Sequence, residues 1–161
     1  MAEQIAGEHF LQAFLFVLEE AFENVHGIFL DRGTSIFDTL ATLTAEDAST
    51  PVSVHCATIA AHVAHMDFYM NVTLRWMRGE RPQVDWSEIW RTVSTVTEEE
   101  WQASQQRLRV TYAAIQDLAR NSTWQSRDEI GGALGLLAHN AYHLGEIRHA
   151  LCTFRSHVQP E

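Results

Sequence analysis

The sequence predicts an all-α fold: a bundle of four long helices, with a long connection between the second and third and a short extra helix between the first and second. Four long segments repeat apolar residues at three- and four-residue intervals, the spacing that gives a helix one apolar face, and no segment shows the two-residue alternation of a half-buried strand. About eighteen residues separate the second and third segments. Extended, they reach about 60 Å, so the link can run the length of a bundle and leave those two helices as parallel neighbours.

The first helix is expected from about Glu3 to Leu30, where Phe10, Phe14, Val17, Leu18, Phe22, Val25 and Phe29 form one stripe. Asp31-Arg32-Gly33 then stops it, glycine being the usual residue just past a helix end. Thr34 to Leu43 reads as the short helix, with Ile36, Phe37, Leu40 and Leu43 apolar and Thr34 or Ser35 as its cap. Ser49-Thr50-Pro51 breaks the chain, and the second long helix runs from about Ser53 to Arg78, with Gly79 and Pro82 ending it. The third opens on Thr97-Glu98-Glu99-Glu100, a capping box in which the threonine caps and Glu100 reaches back. Trp101, Leu108, Tyr112 and Ile115 form its inner face, and it frays near Asn121-Ser122. The fourth helix is expected from about Asp128 to Phe154. In the long link, Trp86, Ile89 and Trp90 point to packing against the bundle, since free loops seldom carry that much apolar surface.

A chain of 161 residues, read as one domain over residues 1–161, can bury a core without help from disulfides or metal. A bound metal would then serve function. Hydrophobic residues make up 46% and charged residues 20%, the balance of a folded globular protein. The formal charge of −10, with basic residues scattered, argues against nucleic acid as a ligand. No stretch reaches the roughly 18 apolar residues of a membrane span, and the N-terminal segment lacks a positive flank. The expectation is a cytoplasmic protein that does not engage membranes. Cys56 and Cys152 form no CxxC pair and are expected as free thiols, buried more often than reactive. Five tryptophans and eight phenylalanines allow a homodimer interface, although a thick core would use them as well.

Of nine histidines, two pairs fall inside long helices: His62 and His65 in TIAAHVAHMDFY, and His139 and His143 in HNAYHLGEI. His139 and His143 differ by about 40° around the helix and about 6 Å along it, so their side chains can converge on one ion. His62 and His65 differ by about 60° and about 4.5 Å and also share a face. Apolar neighbours flank both pairs, and an imidazole in such surroundings costs free energy unless both ring nitrogens have partners. A metal with a hydrogen-bond acceptor behind each ring provides them. The alternative is a set of hydrogen-bonded core histidines, because HxxxH without the HExxH glutamate is a weak motif. Cys56 and Cys152 each lie nine residues from a paired histidine, about 180° away in projection, and are not expected as ligands. His149 points elsewhere, His157 lies past the expected helix end, and His9, His26 and His55 have no partner. Glu146, one heptad after His139, projects about 20° from it and can line the site as an acceptor or base; the alternative is an acidic surface residue.

TIAAHVAH on the second helix followed by AHNAYHLGEIRH on the fourth resembles the DinB/YfiT-like superfamily of four-helix bundles, a resemblance that covers nearly the whole chain, GTSIFDTLATL and the long link included. In that family a histidine seven residues after a Ser/Thr-Ile pair joins the two histidines of an HxxxH motif in a three-histidine divalent-metal site. The resemblance selects His65, after Thr58-Ile59, together with His139 and His143. HNAYHLGEI matches the family's frequent HxxxHxGQI, with Glu146 where glutamine is common. His62 stays the alternative ligand, or a group behind the ligands or facing substrate.

The resemblance implies a metal-dependent enzyme that transfers a low-molecular-weight thiol to a small electrophile; no residue points to a thiol independently of it. Three neutral imidazoles leave an ion its full charge and at least one open position, the pattern of a catalytic site. Such an ion can hold a thiol as its nucleophilic thiolate. Nitrogen ligands suit zinc or nickel, and iron as well. The alternatives are a metal-dependent hydrolase with Glu146 or His62 as proton acceptor, and a noncatalytic metal- or small-ligand-binding stress-response protein.

Overall fold

A computed structural model describes residues 6–158 of the chain, with side chains through residue 154. It is all-helical: α1 Gly7–Phe22, α2 Ile36–Leu40, α3 Ala45–Ser49, α4 Ile59–Met77, α5 Glu88–Thr92, α6 Glu98–Arg120 and α7 Arg127–Val158, with no strand among the described residues. None of these helices is long and apolar enough to cross a membrane.

The four long helices share one core. Leu18 and Phe22 of α1, Met66 and Met70 of α4, Trp101 and Leu108 of α6, and Leu136, Leu144 and Ile147 of α7 are essentially without solvent exposure. Side-chain pairs fix the directions. Asp67 meets Thr111, and further along both helices Met77 shares a small apolar void with Ala119, so α4 and α6 run parallel. His62 meets His143, while Met77 lies near Ala133, so α4 and α7 run antiparallel. Phe22 stacks on Tyr112 and Phe14 lies near Ala119, so α1 opposes α6. The parallel pair expected from the long link is therefore present, and the link carries the short α5 on its way.

Three helix boundaries differ from the sequence expectation. The first helix ends at Phe22, eight residues before Leu30, although Val25 and Phe29 continue the apolar period; its expected start at Glu3 falls outside the described residues. The cause is Glu20. Its carboxylate is fully buried and accepts hydrogen bonds from the backbone N–H groups of His26, Ile28, Phe29 and Leu30 at 3.3, 2.9, 2.7 and 2.7 Å. The chain must leave the helix to present four donors to one carboxylate, and Gly27, at φ +84°, makes the turn. The second long helix begins at Ile59, not near Ser53, because Thr58 caps it by accepting from the Ala61 N–H at 3.2 Å. The last helix continues past Phe154 to Val158, so His157 lies within it.

The short helix expected between Thr34 and Leu43 is α2, capped by Ser35. α3 follows, opened by a capping box of Thr44 and Asp47. α6 begins with the expected box of Thr97 and Glu100. Trp101 anchors the connecting segment to α6 by donating its indole N–H to the Leu43 carbonyl at 3.1 Å.

Candidate metal centre

α4 and α7 run side by side in opposite directions, which brings the first two turns of α4 against the middle of α7. Their histidines therefore meet although more than seventy residues separate them in sequence. One ring nitrogen from each of His65, His139 and His143 lies within 4.8 Å of the other two. The ring centroids are 5.2 Å apart for His65 and His139, 5.1 Å for His65 and His143, and 4.5 Å for His139 and His143. Among the nitrogens of these three rings, Nδ1 of His65 and Nε2 of His139 are buried without a hydrogen-bond partner. Unpartnered buried nitrogens cost free energy in a protein interior, and a cation satisfies them.

The donor set fits a transition-metal ion. Nitrogens on one tetrahedral zinc at about 2.0–2.1 Å lie about 3.4 Å apart, so closing the triangle shortens its separations by at most about 1.4 Å, shared between the side chains of each pair. The electrostatics agree with this. Burial pushes His139 down to about 4 and His143 down to about 3, each helped by its imidazole neighbours, and burial also lowers His62 and His65. Neutral rings near pH 7 keep the lone pairs that ligation requires.

His62 faces His143 with the two Nδ1 atoms 2.9 Å apart. Only one proton fits between them, so one ring donates and the other accepts. If His143 donates its Nδ1–H, its Nε2 keeps a lone pair for a metal and His62 fixes the ring's tautomer. Glu146 is exposed, and its charge acts on His62 by favouring the imidazolium against the larger effect of burial. Glu146 is not part of the histidine triangle.

No protein-family model, curated protein or solved structure matches this chain.

Aromatic side chains complete the surroundings. Tyr69, one turn after His65, stacks on His139 with centroids 3.7 Å apart. Trp90, from α5 in the long link, packs on His65 at 4.4 Å and reaches His62 and His143 at 5.5 and 6.0 Å. The link therefore supplies one wall of the site. Packing of Trp90 was legible from its apolar surface in a link; contact with the histidines was not, because a link has no period to say which side chains meet.

The remaining sequence candidates stand apart. His26 pairs with Glu19 at 3.2 Å, and His9, His55 and His149 are exposed. Cys56 and Cys152 are both exposed, contrary to the expectation of burial. Cys56 lies in the turn before α4, which was expected to be helix, and its sulfur contacts the Ser53 hydroxyl at 3.2 Å. Neither sulfur joins the histidine triangle.

Proposed function

We propose that the chain is a divalent-metal enzyme of the DinB/YfiT four-helix-bundle type, with His65, His139 and His143 as ligands, that joins a low-molecular-weight thiol to a small electrophile. The observation that carries the metal assignment is the convergence of three neutral imidazoles with two buried nitrogens left unpartnered. The thiol rests on the sequence resemblance. Zinc or nickel suits three nitrogens best, with iron also compatible. When bound, the ion supplies positive charge that stabilises a thiolate.

The chain's own residues divide the remaining work. His62 holds the His143 ring from behind, while Trp90 and Tyr69 limit the approach of water on two sides. In this reading Glu146, whose charge acts on His62, is the base that takes the thiol proton. The sulfur forms the new C–S bond, and the leaving group departs with the electron pair of the broken bond and then with the proton. A hydrolase reading draws on the same Glu146–His62 pair, with water in place of the thiol.

The test is turnover by metal-loaded protein given 1-chloro-2,4-dinitrobenzene with and without glutathione or cysteamine. Thiol-dependent product that falls at least tenfold in Glu146→Gln supports the assignment. Ester or amide cleavage without thiol favours the hydrolase, and no turnover across a panel of thiols and electrophiles leaves the noncatalytic reading.

A further inference from the structure

A cleft of about 450 Å³ opens between the C-terminal end of α4 and the first turns of α7. Trp76 and Met77 supply its apolar wall, Gly132 lies on the opposite side, and Arg81, Asp128 and Glu129 stand on its rim. That volume falls within the range of small-molecule sites, about 300–1,000 Å³.

Three observations specify what it accepts. Trp76 is 43% exposed, and its ring makes an edge-on contact with Trp86 at 5.9 Å. An exposed indole is a stacking platform. Opposite it, a Cβ added to Gly132 would meet nothing within 4 Å, so the α7 side of the cleft is open space for a flat body. The rim carries two carboxylates against one guanidinium; Glu129 accepts from the backbone N–H groups of Gln125 and Ser126, both at 3.0 Å, and the Arg81 guanidinium donates to the backbone carbonyls of Trp76 and Glu80 at 3.2 and 2.7 Å. On a chain of net charge −10, that rim repels an anion.

We propose that this cleft is a second binding site, for an uncharged planar aromatic compound that stacks on Trp76. It lies about two helical turns from the metal centre, since Gly132 precedes His139 by seven residues, or about 10 Å along α7. Tyr69 stands between them: its ring stacks on His139, and its hydroxyl would lie 3.8 Å from a Cβ at Gly135. Binding in the cleft requires no metal, so it stands or falls separately from the catalytic reading.

The experiment is a fluorine NMR titration of metal-free protein with 5-fluoroindole, compared with a fluoroindole that carries a carboxylate. Gly132→Leu fills the cleft at a position where the added side chain meets open space, and Trp76→Ala removes the platform from an exposed position. Saturable binding of the neutral probe that weakens at least tenfold in both variants, survives in the His139→Ala/His143→Ala double variant and exceeds binding of the carboxylate several-fold is the expected result. Equal binding in parent and Gly132→Leu, or a preference for the carboxylate, overturns the proposal.

Discussion

At the site, four imidazoles within a few ångströms divide their labour by what lies behind each ring. His65 and His139 each present a buried nitrogen with no partner, whereas the Nδ1 of His143 is engaged by His62. His62 should therefore act as a positioning residue. In His62→Ala, one ion per chain is still bound but with affinity lowered about 10- to 100-fold, the usual cost of losing a group behind a ligand. In His65→Ala, uptake falls to background. Competition against a chromogenic chelator distinguishes the two, and equal loss in both variants would make His62 a ligand. Acid titration reads the same burial. The ordinary imidazole value is 6.5, and His139 and His143 are held down to about 4 and about 3 in the folded protein. Below about pH 6.5 the unfolded chain takes up protons that these folded rings refuse, so stability falls as pH drops towards 4 and 3 and is flat above 6.5. Thermal melts of metal-free protein should show that decline beginning above pH 5, and the double alanine variant should show a shallower one. Identical slopes would contradict neutral, buried rings.

Helix α1 shows why apolar spacing alone misplaces an element's end. Val25 and Phe29 keep the period of Phe14, Leu18 and Phe22, yet the chain leaves the helix at Glu23 because Glu20 gathers the backbone N–H groups beyond it. Hydrophobic spacing records which side chains prefer an interior; it does not record a carboxylate that replaces helical acceptors with its own oxygens. Glu20→Gln offers one acceptor oxygen where two served, and is expected to cost about 3 kcal/mol in urea unfolding, since hydrogen bonds to a charged acceptor are the stronger kind. A loss under about 0.5 kcal/mol would contradict the clamp. Its pH window opens lower than that of the histidines and overlaps only its acid end. Burial raises the Glu20 value, the backbone donors lower it more, and the net value lies below the ordinary 4.5. The stability it contributes is thus complete above pH 4.5 and is lost as pH falls through the folded value. Capping chemistry was more legible than helix ends: Thr97 with Glu100 marks the start of α6 and is present in the structure, and Thr44 with Asp47 follows the same logic with a shorter acid.

Across the whole molecule, the link between α4 and α6 decides the arrangement. It lets two successive long helices run parallel, and α7 then returns against α4 so that HNAYH meets TIAAHVAH. The set of three histidines rested on the family resemblance, whereas the all-α class, the four long helices and the two histidine pairs were legible because each depends on spacing within one element or on helix geometry. The choice between His62 and His65 was not, because they sit one turn apart on one face and only the packed partner helix separates a ring held by His143 from a ring left open. Trp90 and Tyr69, the aromatic walls, likewise emerge only when separate elements come together. The central claim is that this convergence holds a divalent ion. Elemental analysis of protein purified without chelator or affinity-tag nickel tests it most directly, comparing the parent with His139→Ala/His143→Ala after confirming equal helix content. The account predicts close to one divalent ion per parent chain and less than about a tenth of that in the double variant; equal uptake by the two proteins would contradict it.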